Sequence, residues 1–179
     1  VGGPQAEARK LEQSHLVFML PACGSRDRDY FALRIFAEVL GGGMSSRLFQ
    51  EAREKRGLAY NIDAYADTYA DHGALGIYAG CAASDAVETA KVCADELLKL
   101  ADRIEEAELA RAKAQLKAHM FMAREQPLSR AEQGAGQVLD VRVAPGVYPP
   151  RPWSAELALI AAQDQLVAPS RTFPAVKVG

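Results

Sequence analysis

The spacing of apolar residues changes period twice along this chain, and that change constrains the fold more tightly than any other feature. From Arg28 to Leu40, Phe31, Ile35, Phe36, Val39 and Leu40 recur at helical spacing until Gly41-Gly42-Gly43 interrupts them. From Leu58 to Asp67 the period is two, with Leu58, Tyr60, Ile62 and Ala64 on one side and Asn61, Asp63 and Tyr65 on the other. Leu75, Ile77, Ala79 and Cys81 alternate again after Asp71-His72-Gly73, so the two runs predict an antiparallel hairpin. Helical spacing then returns at Val87, Ala90, Ala94, Leu97, Leu98 and Ala101, with Asp85 and Glu88 placed to cap the start. A chain patterned in this way cannot be all-α or all-β.

The remaining segments extend the same reading. Ser14 to Ala22 is a near-continuous apolar run, the pattern of a strand covered on both faces or nearly so. Ser45 or Ser46 can cap a second helix reaching about Arg56, with Gly57 as its stop. Glu105, Glu106 and Glu108 open a further helix and Arg124 closes it, the order a helix dipole favours, with Leu109, Ala112, Leu116 and Met120 as its buried face. Ser129 to Leu139 continues as helix, prolines make 141–153 an irregular connection, Ser154 to Val167 is helical, and Thr172 to Val178 is an edge strand because Pro174 lacks a donor. The expectation is one domain over residues 1–179, of α+β class, with an antiparallel-rich sheet and helices packed on one face.

Several functions are disfavoured. A net charge of -2 with interspersed signs offers no basic stripe for nucleic acid, and no run approaches the roughly 20 apolar residues of a membrane span. Cys23, Cys81 and Cys93 are odd in number and form no C-x-x-C pair, so they read as inert reduced thiols. The glycine triplet is not followed by Gly-Lys-Ser or Gly-Lys-Thr, which argues against a phosphate loop, and no G-x-S-x-G turn is present. His15, His72 and His119 are isolated, so no metal site is expected in this chain. The opening Val1-Gly2-Gly3-Pro4 reads as a linker, consistent with a piece of a longer or trimmed chain.

The stretch LGGGMSSRLFQEAREKRGLAYNI, Leu40 to Ile62, resembles the signature of the second, non-catalytic half of pitrilysin, insulinase and mitochondrial-processing-peptidase proteins. LEQSHLVFMLP at Leu11 to Pro21, the Tyr30 helix, and EEAELARAKAQLKAHMFMAREQPLSRAEQ at Glu105 to Gln133 extend the resemblance over residues 1 to about 139. The proline-rich stretch that follows departs from the family pattern.

The resemblance implies a processing-peptidase-like, metallohydrolase-like half-domain: one of two similar halves of a zinc metalloendopeptidase that close over an extended peptide. In such proteins zinc belongs to the other half, on an H-x-x-E-H helix that this chain lacks. No cofactor is therefore expected in this chain, and zinc is expected in a catalytic partner half, on the same longer chain or a separate subunit. By the same resemblance, Arg53 and Tyr60 reach the substrate and stabilise the negative charge growing on a peptide carbonyl, and Gly41, Gly42 and Gly43 form a chamber wall that contacts incoming peptide. Ser46 is expected as a helix cap and Arg47 as a structural ion-pair donor. The strand from Leu58 could also lend a sheet edge to a peptide. Alone, the chain should cut nothing. The alternative is an inactive scaffold or assembly subunit resembling respiratory-complex core proteins. A homodimer through an exposed chamber face is also open, and the cysteines favour a bacterial cytoplasm over the periplasm.

Overall fold

The computed structural model describes residues 12–143, with side-chain surroundings as far as residue 135. The expected helix over 154–167, the edge strand over 172–178 and most of the irregular connection lie outside these residues. Strand β1 (Ser14–Ala22) leads into helix α1 (Tyr30–Gly41), followed by a short π-helix (Phe49–Lys55). The hairpin β2 (Ala59–Thr68) and β3 (Gly73–Cys81) comes next, then α2 (Ala86–Asp102), α3 (Glu106–Glu125) and α4 (Pro127–Val143). Both β1 and β2 pair antiparallel with β3, giving the sheet order β1-β3-β2. This is the expected α+β architecture. No described helix is long and apolar enough to cross a membrane.

Alternation sorts the strand residues onto two faces. Leu16, Phe18 and Leu20 of β1, Leu75, Ile77 and Ala79 of β3, and Ile62 and Ala64 of β2 join a core with Phe31, Ile35, Leu40, Leu48 and Ala52. The other face is open: Val17 is 58% and Met19 52% exposed, so β1 is not covered on both sides as its apolar run suggested. There the ring of Tyr65 lies over Gly76, where an added Cβ would stand 2.3 Å from the ring, and the Tyr65 hydroxyl donates to Met19 Sδ at 3.7 Å. Gly76 is glycine because the aromatic needs its space.

Two expectations about α2 fail. Its buried residues are Thr89, Val92, Cys93, Glu96 and Leu100, while Val87 and Leu98 are exposed. The apolar stripe read from sequence was out of phase because Thr89 turns inward, its hydroxyl donating to the Asp85 carbonyl at 2.8 Å. No side chain caps this helix; the capping box forms instead at the start of α3, between Glu105 and Glu108. Cys81 and Cys93 are buried, and burial with Cys81 nearby pushes the Cys93 thiol up to about 11, so it stays protonated at neutral pH.

Helix α1 fixes the rest of the domain by packing directly on β2. A Cβ on Gly41 would fall 2.2 Å from the Ala64 nitrogen and 2.6 Å from the Ala64 Cβ, so only hydrogen fits between helix and strand. A second clamp joins the π-helical segment to α3: Arg47 donates from Nε to Glu108 Oε1 at 2.8 Å, from Nη2 to Oε2 at 2.6 Å, and from Nη2 to the Arg103 carbonyl at 2.9 Å. Both side chains are only 16% exposed, and the fork geometry matches the carboxylate. Arg47 is thus the structural ion-pair donor expected of it.

Substituting Gly41→Ala should cost about 1–3 kcal/mol of unfolding free energy through overpacking. Gly134→Ala on α4, where nothing lies within 4 Å, should be neutral or stabilising by up to about 1 kcal/mol. Urea titration of both variants checks this; equal losses would contradict the close packing. The Arg47 hydrogen bonds hold the Glu108 carboxyl below its usual range, so their stability is present above the unfolded carboxylate value and lost as pH falls through the folded one. Glu108→Gln should therefore cost on the order of 2 kcal/mol at pH 7. Its deficit against the native protein should shrink toward pH 3, measured by thermal unfolding across pH.

Candidate functional site

The segment from Gly41 to Tyr60 contains two departures from regular geometry, one on each side of Gly57. The first is the π-helix itself. The Leu58 N–H donates to the Ala52 carbonyl at 2.8 Å and the Gly57 N–H to the Arg53 carbonyl at 3.1 Å, with Gly57 at φ +64°. Glycine enters that left-handed region without the steric penalty of a side chain, and it turns the chain directly from helix into β2. Sequence spacing predicted the helix and its stop but not its π character. Such widened turns occur often at functional sites.

The second departure is a β-bulge. Ala59 stands opposite Cys81 and Asn61 opposite Gly80, leaving Tyr60 as the extra residue. Alternation had placed Tyr60 beside Ile62 and Ala64, yet Ala59 turns inward and Tyr60 is 62% exposed. A bulge re-aims one side chain while the flanking register holds. Here it takes the tyrosine off the core face and presents it to solvent.

The cations around this turn are sorted into paired and unpaired. Glu51 accepts from Lys55 at 2.9 Å and from Arg56 at 3.0 Å, and Arg56 also reaches Glu88 at 3.0 Å. Lys55 and Arg56 together hold the Glu51 carboxyl below its usual value. Arg53 is exposed and, among the described residues, makes no ion pair; its guanidinium lies over the Phe49 ring at 4.9 Å. A cation resting on an aromatic face keeps its five donors available while its stem is held.

The glycine loop adjoins this turn. Gly41 is buried against β2 and serves packing, whereas Gly42 and Gly43 are partly exposed and Met44 is exposed. Gln50 Nε2 donates to the Met44 carbonyl at 2.7 Å, tying the loop to the π-helical segment. Ser46 does not cap that helix. Its buried hydroxyl donates back to the Gly43 carbonyl at 2.6 Å, closing the loop on itself. A serine after a glycine turn reads as a cap in sequence because nothing there reveals which way its hydroxyl points.

Among the described residues, no group of three or more His, Cys, Asp or Glu could hold a metal ion. His15 Nδ1 lies 2.8 Å from the Tyr78 hydroxyl, His72 Nδ1 lies 2.7 Å from Asp71 Oδ1, and His72 stacks on Tyr69. These side chains do not fit a zinc site. What the segment does present is a guanidinium, a phenol and a partly exposed glycine loop. That set can bind and polarise an oxygen-rich, extended ligand without supplying a base.

The chain is similar in sequence and fold to known proteins. The family described as the peptidase M16 inactive domain matches residues 2–116. An uncharacterized zinc protease of Streptomyces coelicolor is 45% identical over 109 residues, covering 60% of this chain and 24% of that protein. The chain thus spans about a quarter of the length of that curated relative. Among solved structures, a peptidase M16 inactive domain from Pseudomonas fluorescens is 29% identical with a TM-score of 0.54, covering 60% of this chain and 26% of that one. A chain of complex III2 from Candida albicans shares the fold, with a TM-score of 0.73 at 21% identity, covering 87% of this chain and 38% of that one. The chain belongs to the peptidase M16 inactive-domain family.

Proposed function

We propose that this domain is the non-catalytic half of a zinc metalloendopeptidase and works with an H-x-x-E-H-bearing half, on the same longer chain or a separate subunit. In that arrangement Arg53 and Tyr60 bind the peptide and stabilise the oxyanion that develops on the scissile carbonyl. The observation that carries the reading is the exposure of both donors at one glycine turn, Arg53 without an ion pair among the described residues and Tyr60 extruded by a bulge. A guanidinium and a phenol held in place cost little reorganisation as charge grows, which is how fixed donors accelerate acyl chemistry. Neither activates water. The loop at Gly42 and Gly43 supplies backbone for contact with an extended chain, and Gly41 supports it from beneath.

A second reading, an inactive core or assembly subunit, draws support from the likeness in fold to the Candida albicans complex chain. The two exposed donors favour the peptidase reading, because a scaffold gains nothing from holding an exposed guanidinium out of the ion pairs that engage Lys55 and Arg56.

Peptide cleavage should be absent in this chain alone and appear on mixing with an H-x-x-E-H-bearing half. Arg53→Ala and Tyr60→Phe should each lower kcat/KM of the mixture by at least about tenfold, with thermal stability unchanged. Normal cleavage by both variants would remove Arg53 and Tyr60 from the reading, and a silent mixture would move the assignment to the scaffold reading.

A further inference from the structure

Glu38 lies in the last turn of α1, and its carboxyl folds back along the end of the helix. A Cβ on Gly42 would stand 2.5 Å from Glu38 Cδ and 2.6 Å from Oε2, so the carboxyl rests on the glycine itself. The Gly42 N–H donates to the Glu38 carbonyl at 2.9 Å, the final hydrogen bond of the helix. Glu38 Oε1 is buried and, among the described residues, has no hydrogen-bond partner. A buried carboxylate oxygen left unpaired is costly, whereas a protonated carboxyl carries a hydroxyl that can donate.

The surroundings pull in two directions. Burial opposes the anion, and so does the helix terminus, whose last turn contains no basic residue to offset the partial negative charge of its free carbonyls. Arg34, one turn earlier on α1, and His119 of α3 favour the anion. Gln115 of α3 is neutral and has Nε2 3.7 Å from the position of a Cβ on Gly43. Asp63 of β2, the strand packed on Gly41, points to the opposite face of the sheet from Ile62 and Ala64. Burial is the largest influence, and the Glu38 carboxyl is raised above its usual range.

We propose that Glu38 is a proton-linked positioning residue for the Gly42–Gly43 loop. With its proton, the carboxyl donates to a free carbonyl at the end of α1 and holds the loop closed on the helix. When the proton leaves to solvent, the carboxylate turns toward His119 and the loop loosens. The loop's part in peptide binding rests on the proposed function; the proton linkage does not.

The sign of the stability effect follows from the direction of the shift. A carboxyl raised in the folded state contributes stability below its unfolded value and loses it as pH rises through the folded one. Glu38→Gln, a permanent mimic of the protonated form, should raise Tm by about 2–4 °C at pH 7–8 and give no gain at pH 4.

The direct test is NMR on the 179-residue chain with 13C-labelled glutamate carboxyls, titrated from pH 4 to 8. The Glu38 carboxyl should titrate above the other glutamates, with the Gly42 and Gly43 amides moving in the same transition. In Glu38→Gln those amides should stay at their low-pH positions. An ordinary Glu38 titration, or amides that move equally in the variant, overturns the proposal. If Glu38→Gln does not fold, His119→Gln serves: removing the imidazole that favours the Glu38 anion should raise the Glu38 titration further, and an unchanged midpoint overturns the linkage. A silent mixture with the catalytic half would sink the peptidase reading while leaving this titration intact.

Discussion

The approach of α1 to β2 sets the geometry on which everything nearby depends. With only a hydrogen at Gly41 between helix and strand, the helix axis is pinned to the sheet and the chain must leave at Gly42. That exit decides where the glycine loop sits and brings the Glu38 carboxyl back onto it. It also sends the following segment toward α3, where Arg47 meets Glu108 in a half-buried fork. A wider helix–sheet separation would carry each of these groups out of reach of its partner, because close-packed interiors move as units rather than yielding locally.

The two irregularities flanking Gly57 serve one end. A strand of regular register would leave Tyr60 on the core face beside Ile62 and Ala64. The π-turn and the bulge each shift the register by one residue, and both persist because strong regular structure surrounds them: Ala52 and Ala59 are buried on either side. Such features weaken regular pairing and are retained where they aim a side chain. Charge is sorted along the same segment. Lys55 and Arg56 are engaged by Glu51 and Glu88, Arg47 by Glu108, and Arg53 rests on an aromatic ring.

The turn around Gly57 therefore presents donors, and among the described residues no group of three or more His, Cys, Asp or Glu could hold a metal ion. In the proposed arrangement these donors complete a site that the other half contains. That arrangement also explains how an inactive domain can keep a defined surface: the exposed polar groups need only be held in place, and the core beneath them supplies the rigidity.

Much of this was legible in the sequence. Period-two alternation and 3.6-residue spacing report which residues can share a face, so the β1, α1, β2, β3 order and the hairpin were readable, as was the signature that carries Arg53 and Tyr60. The α3 face read correctly because Leu109, Ala112 and Leu116 are unambiguously apolar. The face of α2 did not, because a buried threonine and glutamate look polar in a sequence, and only packing against neighbours turns Thr89 and Glu96 inward. The bulge at Tyr60, the inward hydroxyl of Ser46 and the stranded oxygen of Glu38 were likewise decided by tertiary structure. Each depends on what lies across a strand pair or beneath a helix end, and those neighbours are distant in the chain. Local sequence determines the period of a segment; its phase and the surroundings of its polar atoms are set by the elements that pack against it.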